Sequence, residues 1–198
     1  LQQGVEWFIK RRDAEEIGRR SRENFELGKR ALAVRDFIEY SRRERELIDN
    51  LAKIRKIGVH PSIMEMIERM REELTGLRIA QILGDARGRF EAAKQFIEER
   101  NINGYENILA ALLWNIGELQ PLGIQANEAI AVVEGMVFEL KKRRIAQIYQ
   151  DALKHFQEAL NEKINRDWES FDRTLALVRL NFEELKSHHA SAEIQEEV

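Results

Sequence analysis

The segment Arg78-Ile79-Ala80-Gln81-Ile82-Leu83-Gly84-Asp85-Ala86-Arg87-Gly88-Arg89-Phe90 returns 66 residues later as Arg144-Ile145-Ala146-Gln147-Ile148-Tyr149-Gln150-Asp151-Ala152-Leu153-Lys154-His155-Phe156. Eight of these thirteen positions are identical. A weaker antecedent lies 65 residues upstream, where Ile17 and Phe25 stand for Ile82 and Phe90. Self-similarity at a fixed period is the signature of repeat architectures, in which each unit buries its apolar face against its neighbours.

The same offset orders the residues that follow. Arg35-Asp36-Phe37, Arg100-Asn101-Ile102 and Arg166-Asp167-Trp168 occupy equivalent places, and Tyr40, Tyr105 and Phe171 come three positions further on. An Asp or Asn there reads as an N-cap, whose side chain accepts from the unpaired N–H groups of a starting helix. The apolar face recurs as Leu47, Leu112 and Val178, then Leu51, Ile116 and Phe182, then Ile54, Leu119 and Leu185. Spacings of four and three are helical. Gly58 and Gly123 suit the position just past a helix end, and Ser62 and Asn127 suit the start of the next helix.

The expectation is therefore an all-α chain of three tandem helical-hairpin units, near 1–60, 61–125 and 126–187, in one domain. Long and short antiparallel helices alternate, near 3–33, 36–56, 62–100, 103–119, 126–164 and 167–187. Two prolines in 198 residues fit helices with short connections. Breaks in the long helices are expected at Thr75-Gly76 and near Gly135 if they are not continuous. Residues 188–198 lack a sustained apolar face and are read as a frayed tail.

The chain resembles tetratricopeptide repeats in Ala86-x3-Phe90-x2-Ala93 and Ala152-x3-Phe156-x2-Ala159, with Ser21-x3-Phe25-x2-Gly28 as a degenerate form. That family repeats every 34 residues with a Trp, Leu-Gly, Tyr series and a closing Pro, both missing here. The likeness covers about eight residues per unit. It implies a divergent helical-hairpin repeat protein whose relatives bind protein or peptide partners along a groove.

Charge excludes a wholesale polyanion binder, since 32 Lys and Arg face 35 Asp and Glu. Residues 1–60 carry a local basic surplus of four, yet Lys10 to Arg30 interleaves Asp13, Glu15, Glu16 and Glu23 with its cations. A solvated, self-paired face is the expectation, with nucleic-acid binding through this helix as an alternative. Zero Cys removes disulfides and thiolate chemistry and fits a reducing compartment, so a cytoplasmic location is expected. The longest apolar run, Ile108 to Trp114, is far short of the roughly 18–20 residues that span a bilayer. The chain starts at Leu1 without an initiator Met or a signal-peptide core, and is read as trimmed or internal.

No catalytic constellation is expected, and no cofactor or metal. Glu-x-x-His pairs, a phosphate-binding loop and a Gly-x-Ser-x-Gly elbow are missing from the sequence. Asp151 with His155 and Glu184 with His188 have an i,i+4 spacing that could chelate a metal, weighed against ordinary surface pairs.

The candidate partner-binding residues are the recurring polar triplets Arg78, Gln81, Asp85 and Arg144, Gln147, Asp151. They fall within about 60° of one another on a helix. One reading has them present a single pattern to an extended partner. The other is structural, with Arg bonding an acid on the next helix and Gln and Asp supporting their own. Trp7 and Phe8 are candidate anchors onto another subunit or onto the chain's own core, and Met64, Met66 and Met70 are a candidate adaptable groove. Trp114 and Trp168 are expected in the core. The function so indicated is a non-enzymatic scaffold for protein association, self-association included. A helical bundle holding a small apolar ligand is the rival.

Overall fold

The computed structural model describes residues 2–58 and 61–189; for 2–5, 188 and 189 it describes backbone alone. The described residues form six α-helices: α1 (Gln2–Ala33), α2 (Phe37–Ile57), α3 (Pro61–Glu98), α4 (Ile102–Leu119), α5 (Asn127–Ile164) and α6 (Trp168–His189). Two short 3-10 turns, Gln120–Leu122 and Ile124–Ala126, link α4 to α5. Helices α3 and α5 run unbroken through Gly76 and Gly135, so the expected breaks are absent. Thr75 fills its own turn by donating to the Arg71 carbonyl at 3.0 Å. Helix α6 continues to His189, and residues 190–198 of the expected tail lie outside the described residues. No described helix is long and apolar enough to cross a membrane.

Three junctions of one design turn the chain from α1 to α2, from α3 to α4 and from α5 to α6. Arg35, Arg100 and Arg166 each take the left-handed conformation, with φ of 60°, 57° and 61°. The next residue's N–H reaches back five positions: Asp36 to Ala31 O at 2.8 Å, Asn101 to Phe96 O at 2.8 Å and Asp167 to Glu162 O at 3.0 Å. The arginine N–H groups close the inner bond onto Leu32, Ile97 and Lys163. This pair of bonds satisfies carbonyls that a helix end leaves open. Asp36, Asn101 and Asp167 then cap the following helix, accepting from the N–H of Glu39 at 3.0 Å, Gly104 at 2.9 Å and Ser170 at 3.2 Å. One residue ends a helix and the next begins another, which forces a tight antiparallel reversal. Glycine is the usual occupant of the left-handed position, and an L side chain there costs about 1–2 kcal/mol.

The chain divides into two compact bodies, and the division falls inside α3, α4 and α5 rather than at the turns. The first comprises residues 1–85 and 117–130. Its core gathers Phe25, Leu32, Tyr40, Leu47, Leu51, Ile54, Ile67 and Leu74, with Ile17, Ile63, Met64, Met66 and Met70 packed against it. Burying each Leu or Ile here contributes about 1.5–3 kcal/mol. Helices α1 and α2 lie antiparallel, as Arg43 reaches Asn24 at 2.9 Å while Asn50 reaches Ser21 at 3.0 Å. The second body comprises residues 86–116 and those from 131 onward. It buries Ala93, Ile97, Tyr105, Leu112, Val133, Val137 and Leu140, and a cluster of Ile145, Ile148 and Leu185.

Close approach fixes one glycine in this second body. A Cβ on Gly104 would meet Phe96 Cγ, the ring atom nearest its own backbone, at 2.8 Å and the capping Asn101 Nδ2 at 2.9 Å. Gly104→Ala should cost about 1–3 kcal/mol in urea unfolding. Arg166→Gly should instead raise stability by about 0.5–1 kcal/mol through relief of the left-handed strain. The same change at Arg35 or Arg100 should give about zero, because each of those side chains makes an ion pair that offsets the relief.

Candidate functional site

Both recurring triplets are committed to the chain's own helices. Arg78 is 7% exposed and Arg144 is 5% exposed, although both are cations. Arg78 donates to Gln81 Oε1 at 3.1 Å and to Glu118 Oε1 at 2.6 Å. Gln81 passes the chain of bonds on, donating through Nε2 to the Leu32 carbonyl at 3.1 Å. Asp85 receives Arg35 in a two-pronged contact of 3.0 and 2.8 Å. The arrangement recurs 66 residues later. Arg144 donates to Gln147 at 2.6 Å and to Glu184, Gln147 donates to the Ile97 carbonyl, and Arg100 grips Asp151 at 3.1 and 2.6 Å.

Each triplet is thus a clamp on the preceding junction. The glutamine takes the spare lone pair of the carbonyl at the helix end, and the aspartate holds the left-handed arginine. Arg78 also stacks over the Phe37 ring, 3.9 Å from its centroid. The structural reading of the triplets is the one this geometry supports, because a buried guanidinium with its donors engaged presents nothing to an external partner. Arginine does bond an acid on the next helix, as anticipated. The aspartates, however, serve the preceding junction rather than their own helix.

The other candidates separate by exposure. Trp7 and Phe8 stand in solvent, packed edge to face at 5.3 Å, with Arg11 over the indole at 5.4 Å. Met64, Met66 and Met70 line the first core instead of an open groove. Trp114 is 69% exposed and not in the core: it follows Leu112 by two residues, which at 100° per residue turns it away from the face of α4 that Leu112 and Leu119 bury. Trp168, 57% exposed, also leaves its expected place, since no described guanidinium covers it as Arg78 covers Phe37.

The metal candidate at Asp151 and His155 is taken up otherwise. Asp151 holds Arg100, and His155 Nδ1 lies 3.1 Å from Asn181 Nδ2. No group of three or more potential ligands converges among the described residues. The basic stretch of α1 is self-paired: Lys10 with Glu6 at 2.9 Å, Arg11 with Glu15 at 3.0 Å, and Arg19 and Arg20 both with Glu16 at 2.9 and 2.7 Å. Those two arginines hold the Glu16 carboxyl down at about 2. Two surface hollows, of about 520 and 470 Å³, lie along α2 and between α1 and α2, and the second is lined by Arg19, Arg20, Arg43 and Lys53 with Glu23, Glu46 and Asp49. Mixed charge of this kind selects neither an anion nor an apolar molecule.

Two features escaped the sequence reading. Asn50, Asn115 and Asn181 share one offset and each bonds the preceding helix, to Ser21, Arg89 and His155 in turn. The offset alone could have found them. The second feature is a row of large apolar side chains on α5: Tyr149, Leu153, Phe156, Leu160 and Ile164, every one exposed. Their spacing of four, three, four and four keeps them on one helix face. The equivalent places are Gly18, Arg22, Phe25, Lys29 and Ala33 on α1 and Leu83, Arg87, Phe90, Lys94 and Glu98 on α3. Arginine twice gives way to Leu153 and lysine twice to Leu160, a polarity reversal visible once the segments are aligned.

Arg144→Met should cost about 1–2 kcal/mol in chemical unfolding, since it removes the link to Glu184 and leaves Gln147 Oε1 without its guanidinium donor. Asp151 supplies a pH signature. Its carboxyl is held below the ordinary 3.8, chiefly by its hydrogen bonds to Arg100. A depressed carboxylate stabilises the fold fully above its unfolded-state value and loses that contribution as pH falls through the folded-state one. Thermal stability should therefore drop from about pH 4 downward, and Arg100→Gln should lower the neutral plateau while sparing the acid end, which flattens that limb. No protein-family model, no curated protein and no solved structure matches this chain.

Proposed function

We propose that the chain is a non-enzymatic scaffold of three tandem helical-hairpin units, of the divergent tetratricopeptide-like kind, that works by associating with protein. The observation that carries this reading is the apolar row on α5. Five large side chains on one helix face, four of them in positions that are charged or small on α1 and the fifth in the place of the buried Phe25, make an apolar surface, and such surfaces mark association sites in water-exposed proteins. Helical spacing fits a partner helix laid along the row, with each apolar residue entering a gap on its neighbour. Further support comes from the junction and clamp, whose contacts recur at the interval of the sequence repeat. A reducing, cytoplasmic setting suits a chain without Cys.

The test is native mass spectrometry on the protein purified at low salt from its own source, comparing wild type with the Phe156→Asp, Leu160→Asp double variant. Both sites are half in solvent, so the variant should keep the wild-type unfolding midpoint within about 0.5–1 kcal/mol equivalent. The expected result is a second protein mass, or a multiple of 23.2 kDa, retained by wild type and lost by the variant. A small organic mass that leaves on denaturation would replace this reading with the ligand-holding bundle. Retained nucleic acid that dissociates steeply with salt would replace it with polyanion binding.

A further inference from the structure

The three junctions are alike in backbone and unlike in what covers them. Arg35 is gripped by Asp85 and Arg100 by Asp151, while Arg166 makes no side-chain ion pair or hydrogen bond among the described residues. The Leu32 and Ile97 carbonyls each accept a glutamine, but among the described residues no side chain donates to the Lys163 carbonyl, which accepts the Arg166 N–H. Phe37 lies under the Arg78 guanidinium, whereas its counterpart Trp168 has only the edge of Phe171 against it, 6.1 Å between ring centroids, and is 57% exposed. Phe25 is 7% exposed and its counterpart Phe156 is 50% exposed. A left-handed arginine with nothing to hold keeps the backbone cost without the contact that offsets it at the other two sites.

What covers this edge is written in the first junction. The α1 positions that correspond to the apolar row of α5 are packed by the N-terminal half of α3. A Cβ on Gly18 would touch Ile63 at 3.3 Å, Arg22 reaches Met66 Sδ at 3.3 Å, and Lys29 reaches Glu73 at 3.6 Å. The same helix then presents Arg78, Gln81 and Asp85 to the junction. Apolar residues about one to four turns upstream of Arg-x2-Gln-x3-Asp are thus the complement to this surface.

We infer that the α5 row and the Arg166 junction form one docking site for an amphipathic helix of another protein carrying Arg-x2-Gln-x3-Asp, whose aspartate binds Arg166 and whose glutamine binds the Lys163 carbonyl. This rests on the association reading above and names its partner's chemistry. Lys163, which is exposed, stands where the first two junctions bury Leu32 and Ile97, so this edge carries a second cation close in sequence to Arg166. A second copy of the chain is a poor occupant. Its own Arg-Gln-Asp helices are engaged, and α1 offers Asp13, Glu16 and Arg20 at the matching places, which sets Arg20 against Arg166.

The experiment uses the full chain and a fluorescent, hydrocarbon-stapled peptide of residues 61–90, its helicity verified by circular dichroism, with binding read by anisotropy. Saturable binding is expected, weakened about tenfold by Arg166→Glu in the chain and recovered when the peptide carries Asp85→Arg. Arg35→Glu in the chain should leave the affinity unchanged, which separates this edge from the occupied first junction. No binding at about 1 mM of helical peptide overturns the proposal, as does binding indifferent to Arg166→Glu. Chain dimers that dissociate on Arg166→Glu, seen by sedimentation, would overturn it in favour of a second copy. If the peptide fails while the double variant above still sheds a partner, this edge is wrong and the association reading stands; if both fail, both fall.

Discussion

Everything in this fold turns on a two-residue reversal in which a left-handed arginine closes one helix and an Asp or Asn opens the next. Conformational entropy opposes ordering any chain, so a connection that leaves no loose residues keeps that cost low. The reversal also sets geometry. With the last carbonyls bonded backward and the first N–H groups capped forward, the two helices have little freedom in where they start and stop, and their apolar faces meet in one register. Leu47 against α1 and Leu112 against α3 can then be fully buried in the same way.

The polar clamp acts on register more than on raw stability. Burying Arg78 or Arg144 carries a desolvation cost that an ion pair with a partly exposed glutamate only balances, and an apolar pair would stabilise as much. An apolar pair, however, could slide by a turn. Gln81 and Gln147 cannot, because each must find one particular carbonyl, and Asp85 and Asp151 must find one particular arginine. The asparagines at 50, 115 and 181 add a second pin of the same type within each hairpin. These groups specify which turn of one helix faces which turn of another, the role best attested for buried polar residues.

The helices were legible because they are local. Caps, periodicity and glycines placed all six within a few residues, and the junction Asp and Asn acted as read. What stayed hidden was which apolar face meets a neighbour. Trp114 and Phe182 sit at apolar periodic positions yet face outward, since periodicity finds a stripe but not the helix that covers it. The Arg-Gln-Asp triplet was visible as a pattern, and its use was not. A cation on a helix surface looks the same in sequence whether it meets water or, as Arg78 does, an aromatic ring and a glutamate.

The contrast along the repeat carries the functional argument further than any single residue. On α1, Arg22 and Lys29 flank Phe25 and extend to Met66 and Glu73 of α3, so a covered face there is partly polar. On α5 the same places are Leu153 and Leu160, each 45% exposed. Left permanently in water, such a face would gain from keeping the arginine and lysine found twice before, because a row of large apolar side chains invites indiscriminate association. A cationic junction beside the row restricts that association. On the proposed reading it penalises a basic helix and favours one that brings an acid at one register, with apolar area supplying attraction and Arg166 discriminating among partners.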